Sequence, residues 1–186
     1  MSESQIPNPG AEINVDSTEF SEGVKQAYAY TFLSKFSVGD RKVIQCTESL
    51  STQLKRIVSI LGYGTATLGS YVQSILEFHL DENKVVIAEL RAASLNASID
   101  PKSMDEISLN AKKYQALYLT GDYVNRTRKG IYVSRDLVDR IHKIILDVNG
   151  EKPTVGSYVE SIVKVHLDEC ADLIAEMTND KYRKKA

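Results

Sequence analysis

Apolar and polar residues alternate over two short stretches of the chain and recur at helical spacing over the stretches that follow each of them. In Arg41–Thr47, Ile44 and Cys46 share one face while Arg41, Val43 and Gln45 share the other. In Arg128–Ser134, Ile131 and Val133 lie opposite Arg128, Gly130 and Tyr132. A period of two predicts a short strand with one buried face in each place. Thr47 and Ser134 then stand where helix N-caps belong. Behind them, Leu50, Leu54, Ile57, Val58 and Leu61, and Leu137, Ile141, Ile144, Ile145 and Val148, each draw one apolar stripe along a helix. Gly62 and Gly64 in one stretch and Asn149-Gly150 in the other predict a left-handed stop, and Pro153 keeps the second connection from being helical. A second helix follows in each, with Thr67 and Thr154 as its N-caps. Its stripe is Leu68, Tyr71, Val72, Ile75 and His79, matched by Val155, Tyr158, Val159, Ile162 and His166, and it runs on into a long polar-faced tail.

These are two copies of one unit. Thr67-Leu68-Gly69-Ser70-Tyr71-Val72 recurs as Thr154-Val155-Gly156-Ser157-Tyr158-Val159, so Gly69 and Gly156 set an offset of 87 residues. The match continues without a gap through His79-Leu80-Asp81-Glu82 and His166-Leu167-Asp168-Glu169, and back to Arg41-Lys42 and Arg128-Lys129. At the same offset the lead-in segments correspond weakly, Lys25 over Lys112, Ala29 over Ala116 and Phe36 over Tyr123. The expected organisation is a disordered polar leader over 1–20, a first repeat with lead-in helix over 21–95, a second over 96–180, and a basic tail over 181–186. Between the strand-helix-helix units, a further helix is expected from about Met104 to Leu119.

A lone strand leaves its backbone groups unpaired, and two amphipathic helices are too little to bury its inner face. The economical arrangement is an antiparallel ribbon of the two strands over interlocked helices, as in ribbon-helix-helix dimers. The expected fold class is therefore mainly α with a short β-ribbon, tandem ribbon-helix-helix repeats forming a pseudo-dimer. Pairing with a second chain is the alternative; the effective concentration of a tethered partner, on the order of millimolar, favours pairing within one chain.

The order Tyr114, Tyr118-Leu119, Arg128 to Ser134, Thr154 to Ile162 and His166-Leu167-Asp168-Glu169 resembles a family of unknown function carried by conjugative transposons of Bacteroides-type bacteria. The first repeat keeps Arg41, Ile44, the Thr67 to Val72 run and His79-Leu80. The resemblance implies a ribbon-helix-helix relative with a role in the transfer or regulation of mobile DNA. Its members carry one unit, so two in one chain departs from the pattern.

A ribbon of this kind fits the DNA major groove with its polar face inward. The base-reading face would be Arg41, Val43, Gln45, Arg128, Gly130 and Tyr132: arginine suits guanine, glutamine suits adenine, valine suits a thymine methyl, and glycine reads nothing. Thr67, Gly69 and Ser70, with Thr154, Gly156 and Ser157, would anchor phosphates through free N–H groups at the start of the second helices. Close helix packing explains the same small residues equally well. The formal charge of −2 counts against a nucleic-acid partner, but Arg41 to Gly64 holds four basic residues against Glu48 alone, and the stretch around the second strand also leans basic. The acidic excess sits in the leader and the helix tails.

His79, His166, Tyr71 and Tyr158 lie on apolar stripes and read as core residues with hydrogen-bonded polar atoms. Cys46 and Cys170 have no cysteine or histidine companions at ligand spacing, so no metal site, disulfide or cofactor is expected, and a reducing cytoplasm fits. No nucleotide or nucleophile motif appears, and no stretch is apolar enough to span a bilayer, so an enzyme and a membrane protein are not expected. The expected partner is double-stranded DNA, with further self-association open. The rival is an interaction module docking on transfer-machinery proteins, which Val43 and Gly130 on the reading face favour. A toxin-neutralising partner would have only the short leader with which to wrap its toxin.

Overall fold

Ile44 and Cys46 turn inward from β1 (Arg41–Thr47), Ile131 and Val133 turn inward from β2 (Arg128–Ser134), and the two strands pair antiparallel within the one chain. The computed structural model describes residues 20–34, 39–62, 64–97, 102, 105–120, 127–149 and 153–184. Among these residues the fold is mainly helical. Its helices are α1 (Glu22–Phe32), α2 (Glu48–Leu61), α3 (Leu68–Glu82), α4 (Lys84–Ala97), α5 (Leu109–Tyr118), α6 (Arg135–Asn149), α7 (Val155–Glu169) and α8 (Ala171–Arg183). No helix is long and apolar enough to cross a membrane, among the described residues.

The register carries the internal symmetry of the sequence. Ile44 lies opposite Ile131, its own counterpart 87 residues on, and the ladder reads alike from either end: Arg41 faces Ser134, and Arg128 faces Thr47. Beyond the strands, the Glu48 N–H donates to the Thr127 carbonyl at 3.1 Å and the Arg135 N–H to the Asp40 carbonyl at 2.9 Å, again at equivalent positions.

The helices cross between halves. α3 packs on β2 and α7 on β1, α4 packs on α6 and α8 on α2, and α3 meets α7. Neither half covers its own strand alone, so the apolar stripes of α2 and α6, with Leu54 and Ile141 wholly buried, share a single core with both second helices. Each such side chain removed from water contributes about 1.5–3 kcal/mol before its entropy cost.

The starts and stops follow local chemistry. Ser134 caps α6 by accepting the Leu137 N–H at 3.3 Å, and Thr67 and Thr154 cap α3 and α7 through the N–H groups of Ser70 and Ser157. Thr47 precedes α2 but does not cap it, because its hydroxyl donates across the interface to Glu160 at 2.8 Å. At the end of α2 the left-handed residue is Gly64, with φ +73°, while Gly62 has an ordinary φ and leaves room where a Cβ would lie 2.5 Å from the Val58 carbonyl. Gly150 lies outside the described residues.

Three expectations need correction. The long tails of the second helices are separate helices: the chain bends at Asn83 and Cys170, where the backbone N–H groups donate back to the carbonyls of His79 and His166 at 3.1 and 3.0 Å. The bend lets Ile87, Leu90 and Ala93 of α4 bury against the other half, a tertiary gain that no glycine or proline signals. The linker helix is shorter than expected and begins at Leu109, because Ser108 caps it through the Ala111 N–H at 3.1 Å and is itself tied to Glu89. The lead-in helices match at an offset of 86 residues in their buried parts, Tyr28 with Tyr114, Phe32 with Tyr118 and Leu33 with Leu119, not at 87. The leader falls outside the described residues up to residue 19, as do Phe36 and Tyr123, and Lys181 to Arg183 of the expected tail belong to α8.

Two aromatic clusters lock the halves together. The Tyr28 hydroxyl lies 2.6 Å from that of Tyr71 and 3.2 Å from His166 Nε2. In the second cluster Tyr114 bonds Tyr158, and its hydroxyl lies 2.9 Å from His79 Nε2. Each cluster thus joins the histidine of one repeat to the tyrosine of the other. Burial holds both imidazoles down to about 4.

Candidate nucleic-acid interface

The alternation that sends Ile44, Cys46, Ile131 and Val133 into the core turns positions 41, 43 and 45 and positions 128, 130 and 132 to the opposite face. Arg41, Val43, Gln45, Gly130 and Tyr132 are exposed there, and Arg128 is half-buried. Across the ribbon Val43 stands opposite Tyr132, and Gln45 opposite Gly130. No acidic residue occupies an outward position of either strand. Gly130 is small because Val43 leans over it: a Cβ at 130 would lie 2.8 Å from Val43 Cγ1. Arg128 turns back towards the first strand, its Nη1 donating to the Gln45 carbonyl at 3.4 Å.

The start of α7 borders this face. Thr154, Val155 and Gly156 line one groove with Lys42, Val43, Gln45, Arg128 and His142. In the other half the repeat puts Arg41 at the place of Arg128 and the exposed Lys55 at that of His142, so each flank carries an arginine and a further base. Neither α3 nor α7 has an acidic residue in its first turn, unlike α1, α2, α6 and α8. Several bases beside the ribbon are paired: Lys42 with Asp139 at 3.0 Å, Lys129 with Glu48 at 3.3 Å, and Arg135 with Asp40 at 2.5 Å. All three pairs are exposed and add little to stability.

The phosphate-anchoring set divides. Thr67 and Thr154 are exposed, whereas Ser70 and Ser157 are buried. The Ser70 N–H, expected to be free, donates to Thr67 Oγ1 at 3.0 Å, while the Thr67 N–H donates to Ser70 Oγ at 2.9 Å, closing a capping box. Likewise the Ser157 N–H donates to Thr154 Oγ1 at 3.2 Å. Gly69 and Gly156 are where helix and strand touch. A Cβ on Gly69 would lie 2.2 Å from the Tyr132 carbonyl oxygen, and one on Gly156 2.6 Å from that of Gln45, the equivalent carbonyl. These contacts hold the helix starts against the ribbon edges.

Sequence reasoning missed Gln73 and Glu160. Each reaches from a second helix to the end of the other half's strand: Gln73 Oε1 accepts the Ser134 N–H at 3.0 Å, and Glu160 Oε1 accepts the Thr47 hydroxyl. They are equivalent positions, and a polar residue on the buried side of both copies was the available signal. Although burial pushes it up, hydrogen bonds from Lys164 and Thr47 hold the Glu160 carboxyl below the ordinary glutamate range. Among the described residues no three His, Cys, Asp or Glu side chains cluster as metal ligands.

A family model described as a protein of unknown function (DUF3408) matches the chain twice, over residues 3–94 and 96–181. Neither a curated protein nor a solved structure matches the chain.

Proposed function

The chain belongs to the DUF3408 family of unknown function, and we propose that it binds duplex DNA as a ribbon-helix-helix pseudo-dimer made from one polypeptide. The ribbon enters the major groove, and the starts of α3 and α7 sit against the flanking phosphates. The observation that carries this reading is the outward ribbon face. It combines two arginines, a glutamine, a valine and a tyrosine without any carboxylate, on a two-stranded ribbon whose centre is a pseudo-twofold axis. Such a ribbon has the width and the donors for the major groove. The helix starts add exposed Thr67 and Thr154 and a positive dipole end with no acid in the first turn.

With the resemblance to a family carried by conjugative transposons, this reading makes the protein a cytoplasmic accessory or regulator of mobile-element DNA, with no catalytic step of its own. The test is duplex binding by fluorescence anisotropy at two salt concentrations. Affinity that falls steeply with salt is expected, because each neutralised phosphate releases counterions. Absence of binding even at low salt refutes it. A second reading, an interaction module for transfer-machinery proteins, draws on Val43 and Tyr132, which are 39% and 59% exposed on that same face.

A further inference from the structure

We propose that the duplex recognised by this ribbon is asymmetric, so that the chain binds a non-palindromic site in one orientation. This rests on the ribbon-in-groove reading and extends it to the class of target. The ribbon's pseudo-twofold axis passes between Ile44 and Ile131, and it divides the outward face into two ends of different chemistry. At one end Val43 stands opposite Tyr132, with Arg41 beyond. At the other end Gln45 stands opposite Gly130, with Arg128 beyond. A pair of identical strands would present the same two side chains at both ends. Here the repeat sets glycine where its partner strand has valine, and tyrosine where its partner has glutamine.

The difference is also one of shape. Val43 and Tyr132 present apolar and aromatic surface at their end, while at the other end Gln45 faces a glycine with no side chain, and Val43 Cγ1 lies 2.8 Å from where a Cβ at 130 would stand. The first end suits an apolar contact with pyrimidine methyl groups, as on thymine. The second suits the paired donor and acceptor of adenine, which a glutamine amide matches in two hydrogen bonds. Only one orientation of the chain on the duplex satisfies both ends. Arg41 and Arg128 are the same residue type at equivalent positions of the repeat, so residue identity there favours neither orientation.

The test is selection of binding sites from a random duplex pool by the full chain, alongside Val43→Gly/Gln45→Tyr, which gives both strands the same outward residues. The native chain is expected to enrich a motif without inverted-repeat symmetry, and the double variant an inverted repeat. Gln45→Ala, measured on the native motif, is expected to lose about tenfold discrimination at positions of one half-site only. An inverted repeat enriched by the native chain, equal losses in both half-sites for Gln45→Ala, or salt-sensitive binding with no sequence enrichment would each overturn the inference while leaving DNA binding intact. If the double variant proves unfolded by circular dichroism, the native motif and Gln45→Ala decide. No binding to any duplex at low salt would instead remove the DNA-binding reading itself.

Discussion

Ile44 faces Ile131 at the centre of the ribbon, and the two are the same position of the repeat. Because a residue and its own counterpart pair with each other, the whole ladder and the helices that grow from it are related by a twofold axis inside one chain. The glycine contacts, the tyrosine–histidine clusters and the polar ties to the strand ends that join the halves therefore come in pairs, and the two members can be tested against each other.

The closest such approach is that of Gly69 to the Tyr132 carbonyl and of Gly156 to the Gln45 carbonyl. Gly69→Ala would place a methyl group 2.2 Å from that oxygen, so α3 must move off β2. A loss of about 1–3 kcal/mol is expected for each single alanine substitution, read as a lowered midpoint in urea denaturation. An unchanged midpoint for Gly69→Ala contradicts this packing.

Glu160 and Gln73 do equivalent work at the two strand ends. Glu160→Gln is expected to leave stability within about 1 kcal/mol, since glutamine already serves in the other half and the exposed Lys164 partner contributes little. Glu160→Ala leaves the buried Thr47 hydroxyl without its acceptor and is expected to cost about 1–3 kcal/mol. Equal thermal shifts for the two variants would show that the hydrogen bond is not what matters.

His79 and His166 are neutral in the fold, lowered by burial to about 4, and titrate near 6.5 once unfolded. Between those values the unfolded chain binds more protons than the folded one. Stability is therefore complete above about pH 6.5 and declines as pH falls towards 4, by on the order of 3 kcal/mol per histidine at most. The melting temperature should be flat from pH 8 to 7 and drop from 6.5 to 5, with a shallower drop in His79→Gln/His166→Gln. A native profile that is flat down to pH 5 contradicts the neutral, buried assignment.

Arg41→Ala/Arg128→Ala is expected to keep the native melting temperature within a few degrees and to weaken duplex binding. If both arginines meet phosphates, the slope of log affinity against log salt falls by about 2. If they meet guanines, the loss is confined to particular sequences. An affinity unchanged for every duplex tested would place the contact surface elsewhere.

Cys46 sits where the second repeat has Val133, and burial pushes its thiol up from the ordinary value. Thiol reagents at neutral pH are expected to leave it unmodified until the chain unfolds. Cys46→Val should cost less than about 1.5 kcal/mol, as a swap of similar volume already accommodated in the other half. Rapid labelling of Cys46 in the native protein would contradict its burial.

The sequence by itself determined the local elements and their pairing logic. Alternating Ile44 and Cys46, or Ile131 and Val133, can only bury one side of a strand, and the 87-residue offset marks two units that each need the other. Thr47, Thr67, Ser134 and Thr154 marked the starts of α2, α3, α6 and α7, and Gly62 the end of α2, because these boundaries are decided by neighbouring backbone groups. What lay beyond reach depended on distant partners. The bends at Asn83 and Cys170 are compensated by burial against the opposite half, and the one-residue shift of the lead-in helices brings Tyr28 and Tyr114 to histidines more than thirty residues away. Gly69 and Gly156 could serve phosphate or packing on local grounds, and only the strand of the other repeat, lying against them, shows what their missing side chains make room for. Local geometry is written in neighbouring residues, whereas the approach of one half to the other is settled by steric fit across the pseudo-twofold axis.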